Sequence, residues 1–165
     1  MHQFDLNNRT AIITGGAQGF GLDIAKRFLK SGTKAIIWDI DEEELKKAVK
    51  AVNDPNLSYN VVDVSVFKNV KDTVDEIAKS SNIDILINNA GITGSTSSLW
   101  DYDVAEWNKI IEINLMGTFN CCKCVVPYMI KNDYGSLPTT KPNAAGSLTL
   151  QTRRQTRSLQ NESGK

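Results

Sequence analysis

Three glycines in the run Thr14-Gly15-Gly16-Ala17-Gln18-Gly19-Phe20-Gly21, spaced G-x-x-x-G-x-G, join an apolar stretch (Ala11, Ile12, Ile13) to a segment of helical periodicity. Such glycines let the backbone turn sharply from a strand into a helix. They also leave room for an anion against the first free N–H groups of that helix, because no Cβ stands in the way. The glycines alone equally suit an ordinary tight turn; what lies downstream favours a phosphate cradle.

In residues 20–31, Ile24, Ala25, Phe28 and Leu29 recur at helical spacing, and Gly32 stands where a left-handed cap is expected. The apolar run Ala35-Ile36-Ile37-Trp38 then closes on Asp39, 18 residues after Gly21. In a strand–helix–strand dinucleotide unit this is the place of a carboxylate that accepts the ribose hydroxyls. It would repel a 2′-phosphate. No Lys or Arg lies between Gly15 and Gly21, nor directly after Asp39, so the expected cofactor is NAD rather than NADP. The position also suits a plain strand-end turn residue ahead of Asp41.

Strand and helix patterns alternate from Thr10 to Ile130, which implies an α/β class with a doubly wound parallel sheet in the order 3-2-1-4. Strands are predicted at residues 10–14, 34–38, 59–62 and 83–87. A helix over 41–52 should bury Leu45, Ala48, Val49 and Val52. Ser65 is expected to cap the next helix, with Val66, Val70, Val74 and Ile77 as its apolar stripe. Pro127 predicts a kink or early end in the helix that follows Asn114.

These motifs resemble those of the short-chain dehydrogenases/reductases. The family's opening Thr-Gly-x-x-x-Gly-x-Gly stands at Thr14 to Gly21, Asp63-Val64 follows the apolar Val61-Val62, and Asn88-Asn89-Ala90-Gly91 follows Ile85-Leu86-Ile87. Asn114, in Trp107-Asn108-Lys109-Ile110-Ile111-Glu112-Ile113-Asn114, matches the asparagine of the family's catalytic tetrad. General likeness, including Val126-Pro127-Tyr128-Met129-Ile130, is to 3-oxoacyl-carrier-protein reductases. The resemblance runs from Leu6 to about Gly135 and implies a Rossmann fold. It further implies hydride transfer between NAD and a small carbonyl or secondary alcohol. The implied cofactor-binding residues are Gly15, Gln18, Gly19, Phe20, Gly21, Asp39, Asp63, Val64, Asn89, Ala90 and Gly91. By the same likeness a complete protein would be a homo-oligomer, with Phe119 and Tyr128 on the shared surface.

Beyond Gly135 the likeness stops. The family continues with an apolar fifth strand ending in a catalytic serine, then a Tyr-x-x-x-Lys motif. Here Ser136-Leu137-Pro138-Thr139-Thr140-Lys141-Pro142 carries two prolines, each without the N–H that a strand ladder needs. Four residues after Tyr59, Tyr102, Tyr128 and Tyr134 come Asp63, Glu106, Asn132 and Pro138. Asn114 is thus the only surviving tetrad member. A tyrosine with a pKa near ~10 is no useful base at neutral pH without a neighbouring cation. The chain is expected to be inactive as it stands, its sheet incomplete and its fourth strand exposed at an aggregation-prone edge.

Composition marks the same boundary. Residues 136–165 have no Ile, Val or aromatic residue, nine Ser or Thr, and five Lys or Arg against one acid. The expected division is a dinucleotide-binding domain over 1–135 and a disordered basic tail over 136–165, such as a shifted reading frame or alternative splice would append. With no aromatic residue to stack on bases, and no basic cluster beyond Arg153-Arg154 and Arg157, the tail does not point to nucleic acid. No stretch reaches the ~20 apolar residues of a membrane span, and Met1-His2-Gln3-Phe4-Asp5 does not look like a signal peptide, so a cytoplasmic protein is expected. Cys121 and Cys124 form a C-x-x-C without a nearby histidine, which reads as helix packing rather than a metal site. Two functions remain open at this level: an NAD-dependent oxidoreductase, or a nonenzymatic fragment that binds NAD or a partner.

Overall fold

The computed structural model describes residues 6–138. Strand β1 (Thr10–Thr14) leads into helix α1 (Gly19–Leu29), followed by β2 (Lys34–Asp39), α2 (Glu42–Val52), β3 (Leu57–Val61), α3 (Phe67–Ser80) and β4 (Ile85–Ile87). A 3-10 turn at Leu99–Asp101 then precedes α4 (Val104–Ile111), which passes through a π-helical turn (Glu112–Met116) into α5 (Gly117–Lys131). The four strands are parallel in the order β3-β2-β1-β4. That is the expected doubly wound order, with strand ends within two residues of prediction.

Central β1 is buried along its whole length, as a parallel strand covered on both faces must be. Alternation of side chains divides the core in two. On one face Ile12 and Trp38 meet Val70 and Val74 of α3 and Cys121, Cys124 and Val125 of α5. On the other, Ala11, Ile13 and Ile37 meet Ala25 of α1 and Leu45 and Ala48 of α2. Helix α2 starts as its sequence suggests: the Asp41 carboxylate accepts the Glu44 N–H at 3.0 Å, and Glu42, Glu43 and Glu44 occupy the positive end of the helix.

Three expectations are corrected. The fourth strand is not left bare: Ser136 N donates to Asp84 O (3.0 Å), Leu86 N to Ser136 O (3.0 Å) and Asn88 N to Pro138 O (3.3 Å), so residues 136–138 pair in parallel with its outer edge. Pro138 serves only as an acceptor there, which needs no N–H, and Leu137 is buried in the α3–α5 core. Arg9 and Asp84 anchor the other end of this edge, with the guanidinium 3.0 Å from the carboxylate and stacked 3.6 Å over the Tyr134 ring. Second, Ser65 does not cap α3: its N–H and hydroxyl both go to the Asp63 carboxylate, Val66 takes the cap position, and Val66 is exposed instead of joining the stripe. Third, α5 runs on through Pro127, which lies on the exposed side of the helix where water can serve the carbonyl it frees. Tyr128 also bonds within the chain, its hydroxyl donating to Asp75 of α3 at 2.8 Å. The rest of the expected tail, residues 139–165, lies outside the described residues.

Candidate functional site

Each strand ends at one cleft. Gly15 and Gln18 follow β1, Asp39 and Ile40 close β2, Asp63 to Ser65 follow β3 and Asn89 to Ile92 follow β4, around a cavity of about 930 Å³. The fourth wall is the inner side of α4 and its π-helical extension, with Ala105, Asn108, Lys109, Glu112 and Ile113. The C-terminal ends of parallel strands, where the strand order reverses, are where such sheets bind ligands.

The β1–α1 turn depends on two glycines in different ways. Gly21 is buried, and a Cβ on it would lie 2.1 Å from the Gly15 carbonyl oxygen and 2.7 Å from Asn89 Nδ2. Gly19 has φ +54, and a Cβ there would meet nothing within 4 Å. The first is needed for packing, whereas the second leaves open space over the helix start. Gln18, in the cap position of α1, makes no side-chain cap bond, and the first turn carries no acidic residue. The unpaired N–H groups of a helix start, with the positive end of its dipole, suit an anion.

Asp39 is held by the backbone. Its Oδ1 accepts Ile40 N–H (2.9 Å) and Asp41 N–H (3.3 Å), and its Oδ2 accepts Ala17 N–H from the glycine turn (3.3 Å). Asp63 is similarly fixed, donating its N–H to Asn69 Oδ1 at 2.7 Å while its carboxylate takes both Ser65 donors. Thr14 joins β1 to the turn after β4: its hydroxyl accepts the N–H groups of Asn89 (3.0 Å) and Ala90 (2.9 Å) and donates to Ile87 O (3.3 Å). Asn89 Nδ2 completes the link by donating to Gly15 O at 3.0 Å.

Eight of the sequence-derived residues thus line one cleft: Gly15, Gln18, Asp39, Asp63, Val64, Asn89, Ala90 and Gly91. Gly19 and Gly21 shape the turn beside it, while Phe20 is 82% exposed on the first turn of α1. Asn114 sits in the π-helical turn and pairs with Ile92 through two amide bonds, Nδ2 to Ile92 O (2.9 Å) and Ile92 N to Oδ1 (3.0 Å). Two contributors escaped the sequence reading. Buried Asn120 of α5 donates to Val64 O (3.0 Å) and Ser65 O (3.2 Å), and Glu106 of α4 accepts both donors of Ser95. The signal for Asn120 was a lone amide on the otherwise apolar inner face of a helix.

Burial pushes the Cys122 and Cys124 thiols above their ordinary range, which keeps them protonated packing groups. Among the described residues no group of three or more His, Cys, Asp or Glu could hold a metal ion, and no helix is long and apolar enough to cross a membrane.

The profile of a family described as short chain dehydrogenase matches residues 9–146. The chain is 36% identical over 131 residues to the 2-dehydro-3-deoxy-L-rhamnonate dehydrogenase (NAD(+)) of a Sphingomonas species, covering 78% of this chain and 51% of that protein. It is 38% identical over 136 residues to the 3-oxoacyl-acyl-carrier-protein reductase FabG of Chlamydia muridarum, covering 80% and 54%. Among solved structures, gox2181 superposes with a TM-score of 0.78 at 34% identity, covering 81% of this chain and 53% of that one. The chain therefore spans about half the length of the curated relatives it matches.

Proposed function

The chain belongs to the short-chain dehydrogenase family, and from that premise we propose that its cleft binds NAD as the nucleotide half of an oxidoreductase acting on a small carbonyl or secondary alcohol. The observation that carries the reading is the open space over Gly19, at a helix start without acidic residues, with the fixed Asp39 carboxylate in the same cleft. Gly15, Gln18 and Gly19 would hold the pyrophosphate, Asp39 the ribose hydroxyls, Asp63 and Val64 the adenine, and Asn89 to Gly91 the path to the nicotinamide. Asp39 favours NAD over NADP, since a 2′-phosphate would meet its negative charge and no Lys or Arg follows directly to offset it. The NAD(+) in the name of the Sphingomonas relative agrees with that choice. When bound, the nicotinamide supplies a hydride donor or acceptor. The chain's own part is to orient it and to keep the wall at Ile92 in place through Asn114.

By family resemblance Asn114 is the one tetrad residue present, and the Tyr-x-x-x-Lys spacing occurs nowhere in the 165 residues. Cofactor binding without turnover is the expected behaviour of this chain alone. A nonenzymatic NAD-binding role has one observation in its favour: residues 136–138 already pair with the β4 edge within the described part. Calorimetric titration with NAD+ and NADP+, alongside a reduction assay with a 3-oxoacyl thioester, tests both. NAD+ binding at least tenfold tighter than NADP+, with no turnover, supports the reading. Binding of neither nucleotide overturns it.

A further inference from the structure

Glu106 occupies the third position of α4, where its N–H is capped by Asp103 Oδ1 at 2.7 Å. A glutamate at that position ordinarily turns back to the N–H of the cap residue. Here its carboxylate crosses to the loop after β4: Oε1 accepts the Ser95 N–H at 2.8 Å and Oε2 accepts the Ser95 hydroxyl at 2.6 Å. Two charge-assisted bonds from one carboxylate to one residue fix both its position and its orientation. The same loop is held three residues earlier by the paired amide bonds of Asn114 and Ile92. Between the two fastenings Gly94 packs so close to Tyr102 and α4 that a Cβ would lie 1.7 Å from the Tyr102 hydroxyl and 2.6 Å from Ile110. Tyr102 is itself braced edge-on by Trp107, with ring centroids 5.8 Å apart. The loop's first residues, Gly91 and Ile92, are wall residues of the cleft, as is Ala105 beside Glu106.

We propose that Glu106 is a positioning residue: by clamping Ser95 to α4 it fixes the loop 91–95, whose first residues Gly91 and Ile92 are wall of the cleft, on the side that a small carbonyl or alcohol substrate would approach. The clamp stands on geometry alone; its functional meaning rests on the nicotinamide-dependent reading. A loop pinned only at Ile92 would leave residues 93–95 to order at the moment of binding, and that ordering would oppose ligand affinity. A second fastening at Ser95 removes the cost before the ligand arrives.

Amide hydrogen exchange on the whole chain tests the clamp without any ligand. Glu106→Ala is expected to speed exchange at Ser95 and its neighbours at least tenfold while β1 amides stay within twofold. Glu106→Gln keeps an acceptor for the Ser95 N–H and sets an NH2 beside the hydroxyl, so it should stay within about threefold of wild type. Uniform acceleration across the sheet in Glu106→Ala would show a merely structural role and overturn the proposal. So would equal exchange at Ser95 in all three proteins. Titration with NAD+ is the second measurement. A threefold to tenfold weaker affinity in Glu106→Ala, restored in Glu106→Gln, supports the effect on the cleft, and unchanged affinity overturns it. If wild type binds no NAD+, the nicotinamide reading fails, while the exchange comparison still decides the clamp.

Discussion

The hydroxyl of Thr14 and the backbone N–H of Asn89 are 3.0 Å apart, and the same oxygen accepts the next N–H, of Ala90, at 2.9 Å. One side chain at the end of β1 therefore sets the turn that leaves β4, where the two strands diverge around the cleft. Thr14→Val keeps the shape but leaves two partly buried donors without an acceptor. It should lower stability by about 2 kcal/mol, whereas Thr14→Ser, which loses only a methyl, should cost about 1 kcal/mol or less. The midpoints of urea unfolding check the difference, and equal midpoints for Val and Ser would refute the role of the oxygen.

Gly19 and Gly21 separate binding from folding. Gly21→Ala forces a Cβ to within 2.1 Å of the Gly15 carbonyl, a backbone group that cannot swing aside, and should destabilise by about 3 kcal/mol or more. Gly19→Ala meets no atom and pays only for its positive φ, about 1 kcal/mol. Its methyl would nevertheless stand in the space assigned to the pyrophosphate. Gly19→Ala should fold with a small drop in Tm and lose NAD+ affinity at least tenfold, as thermal melts and calorimetry would show.

The fold was legible wherever a local pattern and the tertiary structure require the same thing. The β1–Gly–α1 unit, the apolar strands ending at Asp39 and Ile87, and the Asp41 cap are such cases, and the strand order is the usual one of a doubly wound fold. The reading failed where a residue has a second local option. Ser65 could cap α3 or join the Asp63 turn, and the nearer carboxylate took both of its donors. Pro127 was expected to kink or end α5, but the helix does not end there and runs on to Lys131, since on an exposed side the carbonyl a proline frees can be served by water. The 136–138 pairing was hidden because proline rules speak about donors, and Pro138 is needed only as an acceptor. The partners of Glu106 and Asn120 were illegible for another reason: they lie 11 and more than 50 residues away, and only the fold brings them together.

Tyr128 and Asp75 tie α5 to α3, and both titrate. The hydrogen bond from Lys71, then that from Tyr128, holds the Asp75 carboxyl below its ordinary range. The hydrogen bond to Asp75 in turn raises the Tyr128 phenol. A depressed carboxyl stabilises the fold above its unfolded pKa of about 4, and that contribution fades as pH falls through the folded value. A raised phenol stabilises below its unfolded pKa of about 10, and that contribution fades as pH rises further. Tyr128→Phe should therefore flatten the alkaline limb of the pH–stability curve and soften the acid limb only in part, since Lys71 still holds Asp75, whereas Asp75→Asn should flatten both limbs. Urea midpoints between pH 3 and 11 report each limb separately.

The segment beyond α5 makes the last distinction. Ser136 donates to Asp84 O and accepts from Leu86 N, while Pro138 contributes only its carbonyl to Asn88 N. Ser136→Pro removes the donor and sets a ring against the β4 edge, so it should cost about 1–3 kcal/mol and release Leu137 from the α3–α5 core. A freed edge of Ile85, Leu86 and Ile87 is a template for pairing between chains. Aggregation on mild heating, followed by light scattering, should accompany the loss of stability. Pro138→Ala keeps the carbonyl and changes mainly the freedom of the unfolded chain, at less than about 1 kcal/mol. If the two variants scatter light alike, the edge is closed by something other than this ladder.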